Sequence, residues 1–319
     1  MNTAQIPFNP AVLPTKFESM EFGVNVPNFG PGTDPGLLRA WADTVESLGF
    51  DLLMMSDHVA ITPDVAQKYP APFFDPFTTL AYLAGASTGI RLGTTVLILP
   101  YRHPLLTARM AANLNDLSGG RFVLGVGVGW ARQEFQALGA PFERRGRLTD
   151  EYLQTIRNVW RDETDYRAGT LPIWIGGDSP AALRRAVQLG DAWHPMRFTL
   201  PWLRSTLPTL GSLADAAGRP APAFAPRISL SITERPVDSP DRLAGVGSVD
   251  QVVDDFHELR LLGASSVVLD PFNGDLSTLP TPQPTWNQLD TIMTAWTRSQ
   301  PAAASPETFT PSTTIGAQP

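Results

Sequence analysis

Four histidines, at positions 58, 103, 194 and 257, and no cysteine bound the side-chain chemistry open to this 319-residue chain. Without a thiol there is no disulfide, no thiolate nucleophile and no cysteine-ligated zinc. His58 stands out because it follows the apolar run Leu52–Met55 and the pair Ser56-Asp57. An imidazole placed in a pocket exchanges protons near neutral pH; the alternative is a histidine merely hydrogen-bonded at a strand end. His103 and His194 are weaker candidates, and His257, between Phe256 and Glu258, reads as structural. No ligand cluster accompanies these histidines, so no metal is expected. A G-x-S-x-G elbow is missing too, which leaves serine acyl transfer without support.

Two glycine clusters add backbone chemistry. Gly176-Gly177, followed by Asp178-Ser179-Pro180, sits between a short apolar run and a helical pattern. Such a turn exposes N–H groups at a helix start, a natural phosphate site, or it is a tight turn with no ligand. Gly125, Gly127 and Gly129 either let the backbone approach something flat or mark a constriction that needs small residues.

The elements that must position these groups alternate along the chain. Strands are expected at Phe22–Val26, Leu52–Ser56, Leu92–Leu97, Phe122–Val126, Pro172–Ile175, Ala192–His194, Arg227–Thr233 and Ser266–Leu269. Several are continuously apolar, as parallel strands covered on both faces are. Helices are expected at 34–48, 75–88, 104–117, 148–162, 179–189, 199–217, 250–262 and 286–298. In the first, Leu37, Leu38, Trp41, Val45 and Leu48 form one stripe after the start signal Thr33-Asp34-Pro35. Eight of each in strict alternation predict a single-domain (β/α)8 TIM barrel, with a doubly wound open sheet as the alternative. The missing Gly-x-Gly-x-x-Gly after the first strand weighs against the latter. The barrel is expected over 18–298, between a flexible tail at 1–17 and a Pro/Ala/Ser/Thr-rich tail at 299–319.

Net charge is −7, without a basic stripe beyond Arg144, Arg145 and Arg147, so nucleic acid is a poor partner. The apolar runs are too short for a bilayer and the N-terminus lacks a secretory pattern. The expectation is a cytoplasmic enzyme of a small-molecule substrate, with no nucleic acid and no membrane.

In a barrel, function gathers at the C-terminal strand ends. Read in that order, the chain resembles the luciferase-like monooxygenase superfamily, most closely its actinobacterial F420-dependent branch. The segments carrying the resemblance are Phe22–Gly30, Gly49–His58, Leu92–Leu97, Pro100–Pro104, Leu117–Phe122, Gly125–Trp130 with Glu134, Phe135 and Gly139, Arg147–Tyr152 and Pro172–Gly177. Together they span roughly residues 20–298.

The resemblance implies a deazaflavin ring, coenzyme F420, or alternatively FMN, held across the barrel mouth. It implies a non-prolyl cis peptide at Thr95–Val96 behind the ring and a catalytic role for His58. Asn25, Gly127, Gly129 and Trp130 would line the ring, and Tyr152 with Gly176, Gly177, Asp178 and Ser179 would hold its phosphate. Phe29, Tyr101, His103 and Trp193, with Phe73 and Phe74, would wall an apolar or aromatic substrate pocket. The arginines 144, 145 and 147 would meet the acidic tail of F420, or form a solvated loop. A reductase supplying reduced cofactor and a homodimer are further expectations.

Three departures matter. The segment Arg161–Leu171 before the fifth strand is brief beside that of relatives. The loop Glu234–Ser248 is short beside the mobile lid of FMN monooxygenases, which favours hydride transfer over a protected oxygen intermediate. Trp130 also stands where some F420 dehydrogenases carry a glutamate. The function expected is hydride transfer between deazaflavin C5 and a small organic substrate, with His58 moving the proton. The alternatives are an FMNH2-dependent two-component monooxygenase and a non-catalytic flavin-binding barrel.

Overall fold

The computed structural model describes residues 20–300 apart from 88, 164, 165 and 167–170. The expected tail at 1–17, and 301–319 of the other, lie outside the described residues; Ser299 ends the last helix.

Eight passages of parallel strand form the centre. They are β1 (Glu21–Asn25), β2 (Leu52–Met55), β3 (Arg91–Thr94, resumed at Leu97–Ile98) and β4 (Phe122–Gly127). They continue with β5 (Ile173–Gly176), β6 (Ala192–His194), β7 in two pieces (Ala223–Phe224 and Arg227–Ser229) and β8 (Ser266–Asp270). Each pairs in parallel with its sequence neighbour, and β8 pairs with β1. β7 closes the ring: its first piece pairs with β6 and its second with β8.

β7 also departs from expectation, since Arg227–Thr233 misses its first half. Ala223, Ala225 and Arg227 donate their N–H groups to the β6 side, while Phe224 and Pro226 accept from Ser265 and Val268 on the β8 side. Pro226 has no N–H to return, so the ladder loses a rung and the strand is split.

Helices cover the ring: α1 (Pro35–Ser47), α3 (Pro76–Ala84), α4 (Pro104–Leu117), α6 (Arg145–Asp162), α7 (Pro180–Leu189), α8 (Leu200–Ala216), α9 (Val249–Leu261) and α10 (Gln283–Ser299). α1 starts as its sequence signals, with Asp34 accepting from Leu37 N–H at 2.7 Å and Pro35 opening the first turn. It buries Leu38, Trp41, Ala42 and Val45 against the sheet; each large side chain so buried contributes about 1.5–3 kcal/mol. Two short helices, α2 (Pro63–Ala66) and α5 (Arg132–Ala137), leave the C-terminal ends of β2 and β4 and join through Gln133 N–H donating to Asp64 Oδ2 at 3.1 Å. Among the described residues no helix is long and apolar enough to cross a membrane.

The segment after β7 folds back on α9. Its strand Ser231–Ile232 pairs with Val246–Gly247. Arg242 grips buried Asp255 with two N–H donors at 2.8 and 2.7 Å, and Gln251 accepts from Val237 N–H and donates to its carbonyl. Four such anchors hold the segment against α9.

Candidate active site

A cavity of about 260 Å³ opens at the C-terminal ends of the strands. Of the residues expected at the site, His58, Thr95, Val96, Gly127, Gly129, Trp130, Gly176 and Gly177 all line it. Those eight come from the ends of β2, β3, β4 and β5, so the ring itself brings them together.

His58 sits on one wall, 6% exposed, with its Nδ1 2.6 Å from Glu134 Oε2. Glu134 lies on α5, fully buried, and its two oxygens are otherwise filled. Oε1 accepts the N–H groups of Val59 and Ala60 at 2.6 and 3.1 Å, and Oε2 accepts the Tyr101 hydroxyl at 2.9 Å. Burial, and then the charge of Glu134, push the Tyr101 phenol well above its ordinary range, so it stays a donor. With every other partner of Glu134 a donor, His58 Nδ1 is one as well, and Nε2 is the nitrogen left for a molecule in the cavity.

Aromatic rings fix the imidazole plane. Tyr69 stacks on it at 5.1 Å between centroids, while Phe73 and Trp130 present edge-on contacts at 5.5 and 5.7 Å. Asp57, the residue before His58, is wholly engaged: it accepts Ile98 N–H at 2.9 Å and two Arg102 N–H groups at 2.6 and 2.9 Å. It ties the end of β2 to the continuation of β3.

The floor is built around Thr95–Val96, whose peptide bond is cis. Arg227 donates to the Thr95 carbonyl at 2.6 Å while pairing with Asp270 at 2.6 Å. Asn25 lies under the floor, donating to Asp270 at 3.1 Å and accepting from Ser56 Oγ at 3.3 Å. His194 Nε2 is 2.9 Å from Thr95 Oγ1 and its Nδ1 bonds the Ala225 carbonyl. Burial drives the His194 pKa down to about 4, against the pull of the Ala225 carbonyl and with help from Arg227, so the ring is neutral.

Three of these glycines sit where a side chain would collide with its neighbours. A Cβ on Gly125 would meet the Thr94 carbonyl oxygen at 1.9 Å, which is a constriction inside the barrel. Cβ atoms on Gly127 and Gly176 would meet the Val96 methyls at 2.5 and 2.9 Å. Val96 therefore occupies the room these two glycines leave.

Other expected residues are placed away from the cavity. Trp193 is fully buried in the core between β6 and α8, and its indole N–H donates to the Gly177 carbonyl at 2.8 Å, holding that turn from behind. Phe29 is buried in a separate cluster with Phe272, Tyr69 and Phe73. His103 caps the start of α4. Tyr101 reaches the site only through Glu134. Asp178 and Ser179 are exposed, Ser179 capping α7, and Tyr152 packs on the core from α6. Glu134, Tyr69, Met196 and Arg227 were not among the expected site residues. Among the described residues no group of three acidic or histidine side chains is set to hold a metal.

The model of luciferase-like monooxygenases matches residues 20–239. Over 210 residues the chain is 32% identical to a 4-hydroxyprotoasukamycin monooxygenase of Streptomyces nodosus subsp. asukaensis, covering 58% of this chain and 54% of that protein. In fold it is similar to a coenzyme F420 dependent tetrahydromethanopterin reductase from Methanopyrus kandleri. That likeness has a TM-score of 0.67 at 17% identity and covers 86% of this chain and 97% of the other. It is equally similar to the FMN complex of the oxygenating constituent of 3,6-diketocamphane monooxygenase from Pseudomonas putida. There the TM-score is 0.68 at 18% identity, with the same coverage of 86% and 97%. Both likenesses establish the shared barrel.

Proposed function

The chain belongs to the luciferase-like monooxygenase family, and from that premise we propose that it is a coenzyme F420-dependent oxidoreductase of a small organic substrate. The observation that carries the reading is the His58–Glu134 pair on the wall of an open cavity. When bound, coenzyme F420 supplies a carbon centre that takes up or releases a hydride. A substrate carbonyl or alcohol undergoing that change must gain or lose a proton as well. His58 Nε2 is placed to move it, and Glu134 holds the ring orientation through Nδ1. Tyr101 and the Val59 and Ala60 N–H groups keep Glu134 in place.

The cavity surface suits such a cofactor. Val96, Ile98 and Val128 give apolar walls for a flat ring. Gly176-Gly177 leads into the start of α7, where backbone N–H groups favour a phosphate. The segment after β7 is tied to α9, and Trp130 is 43% exposed at the rim. An unsealed site suits hydride transfer better than oxygen activation, which needs water excluded.

A second reading is an FMN-dependent monooxygenase fed by a separate reductase; the 32% identical relative, named a monooxygenase, supports the oxygenase half of it. Fluorescence titration with coenzyme F420 and with oxidised and reduced FMN separates the two. Tight F420 and weak FMN binding is expected. The reverse, with oxygen uptake on reduced FMN, overturns the first reading in favour of the second.

A further inference from the structure

Lys68 is one of two lysines in the chain, against 22 arginines, and Lys16 lies outside the described residues. Its position is unusual for so scarce a residue. It follows α2 directly before Tyr69, which lines the cavity, and its Nζ lies 4.8 Å from the ring centroid of Trp130, which lines it too.

The nearby carboxylates are committed elsewhere. Asp64 accepts Thr62 Oγ1 at 2.6 Å, Val65 N–H at 3.0 Å and Gln133 N–H at 3.1 Å. Glu134 is filled by its four donors. Within the cavity Arg227 is matched by Asp270. Among the described residues no carboxylate forms an ion pair with Lys68, so it brings a positive charge to the rim of a cavity in a protein of net charge −7.

We infer that Lys68 selects the substrate: it seats an anionic group, a carboxylate, at the rim, with the apolar body of the same molecule inside. Beside the walls proposed for the ring, Trp130 and Met196 line the space and match such a body. The Trp130 face holds the ammonium by cation–π attraction, which limits the side-chain freedom lost on binding. Lys68 follows β2, whereas the Gly176-Gly177 turn follows β5, three strands around the ring, so the charge lies apart from the turn proposed for the phosphate. The inference rests on the cavity being the shared cofactor and substrate site proposed above.

The test uses the full chain, by calorimetry, with cinnamate and its neutral isostere cinnamamide, each with and without coenzyme F420. Wild type is expected to bind cinnamate more tightly than cinnamamide. Lys68→Gln weakens cinnamate alone about fivefold, Lys68→Arg retains it, and added salt narrows the difference. A wild type that fails to prefer the carboxylate, or a Lys68→Gln that weakens both ligands equally or neither, overturns the inference. The melting temperature of Lys68→Gln, an exposed substitution, reports whether it folds. Failure of coenzyme F420 to bind overturns the cofactor reading instead, since the ligand pair is also compared without it.

Discussion

His58 and His194 stand at the ends of two strands of one barrel, both buried, both within reach of the same cavity floor or wall. His58 meets a carboxylate through Nδ1 and lines the cavity. His194 is closed at both nitrogens: a backbone carbonyl at Nδ1, the Thr95 hydroxyl at Nε2, and Arg227 alongside. The same side chain thus has one nitrogen unclaimed by the protein in one setting, where we propose it moves a proton, and is a neutral strut in the other. Burial alone does not separate them; the charge of the nearest partner and the direction left open do.

The comparison can be broken most sharply at His58. His58→Ala is expected to lower turnover about 100- to 10,000-fold while cofactor affinity changes little; unchanged turnover in steady-state assays removes its catalytic role. On the other side, Arg227→Ala leaves Asp270 buried without its partner and should cost about 3–5 kcal/mol in urea unfolding. A loss below 1 kcal/mol would mean that water relieves the charge.

His194 predicts a pH effect. Below its ordinary value of 6.5 the unfolded chain binds a proton that the fold refuses until about pH 4. Stability therefore falls as pH drops from 6.5 towards 4, by about 3 kcal/mol in total, and levels off below. His194→Asn should flatten that window in thermal melts; an unchanged slope would move the titration elsewhere. The smallest effect is expected from Tyr101→Phe, which removes one donor to Glu134 and should reduce kcat/KM about fivefold. A loss as large as that of His58→Ala would make Tyr101 part of the reacting machinery.

The frame of the molecule was legible in the sequence because it is written in local patterns. The α1 stripe, the Asp34-Pro35 start and the all-buried runs of β2 and β4 each carry a period and a boundary. Where local signal conflicts with long-range pairing, reading failed. Ala223–Phe224 is two residues before a proline and looks like a loop, yet β6 and β8 hold it on either side. α6 starts at Arg145, in a run of arginines and glycine with no helical period of its own.

The site divides in the same way. His58, Trp130 and the glycines follow strands, and strand ends are visible in one dimension. Glu134 is on a helix of six residues, too short to reveal a buried face, and nothing local announces that its carboxylate meets His58 across 76 positions. Arg227 and Asp270 are likewise joined only by the closure of the ring. The expected pocket wall fared least well in placement: Trp193 and Phe29 are large apolar residues near strand ends, and their sequence context does not distinguish core from cavity.

The packing of Val96 also sets how this active site can be redesigned. Its two methyls already fill the space that Gly127 and Gly176 leave. Trimming Val96 deepens the chamber, while adding bulk at either glycine collides with it first. An engineer enlarging the range of accepted molecules can work downward from Val96, but cannot build the floor up from its sides without first shrinking what stands in the middle.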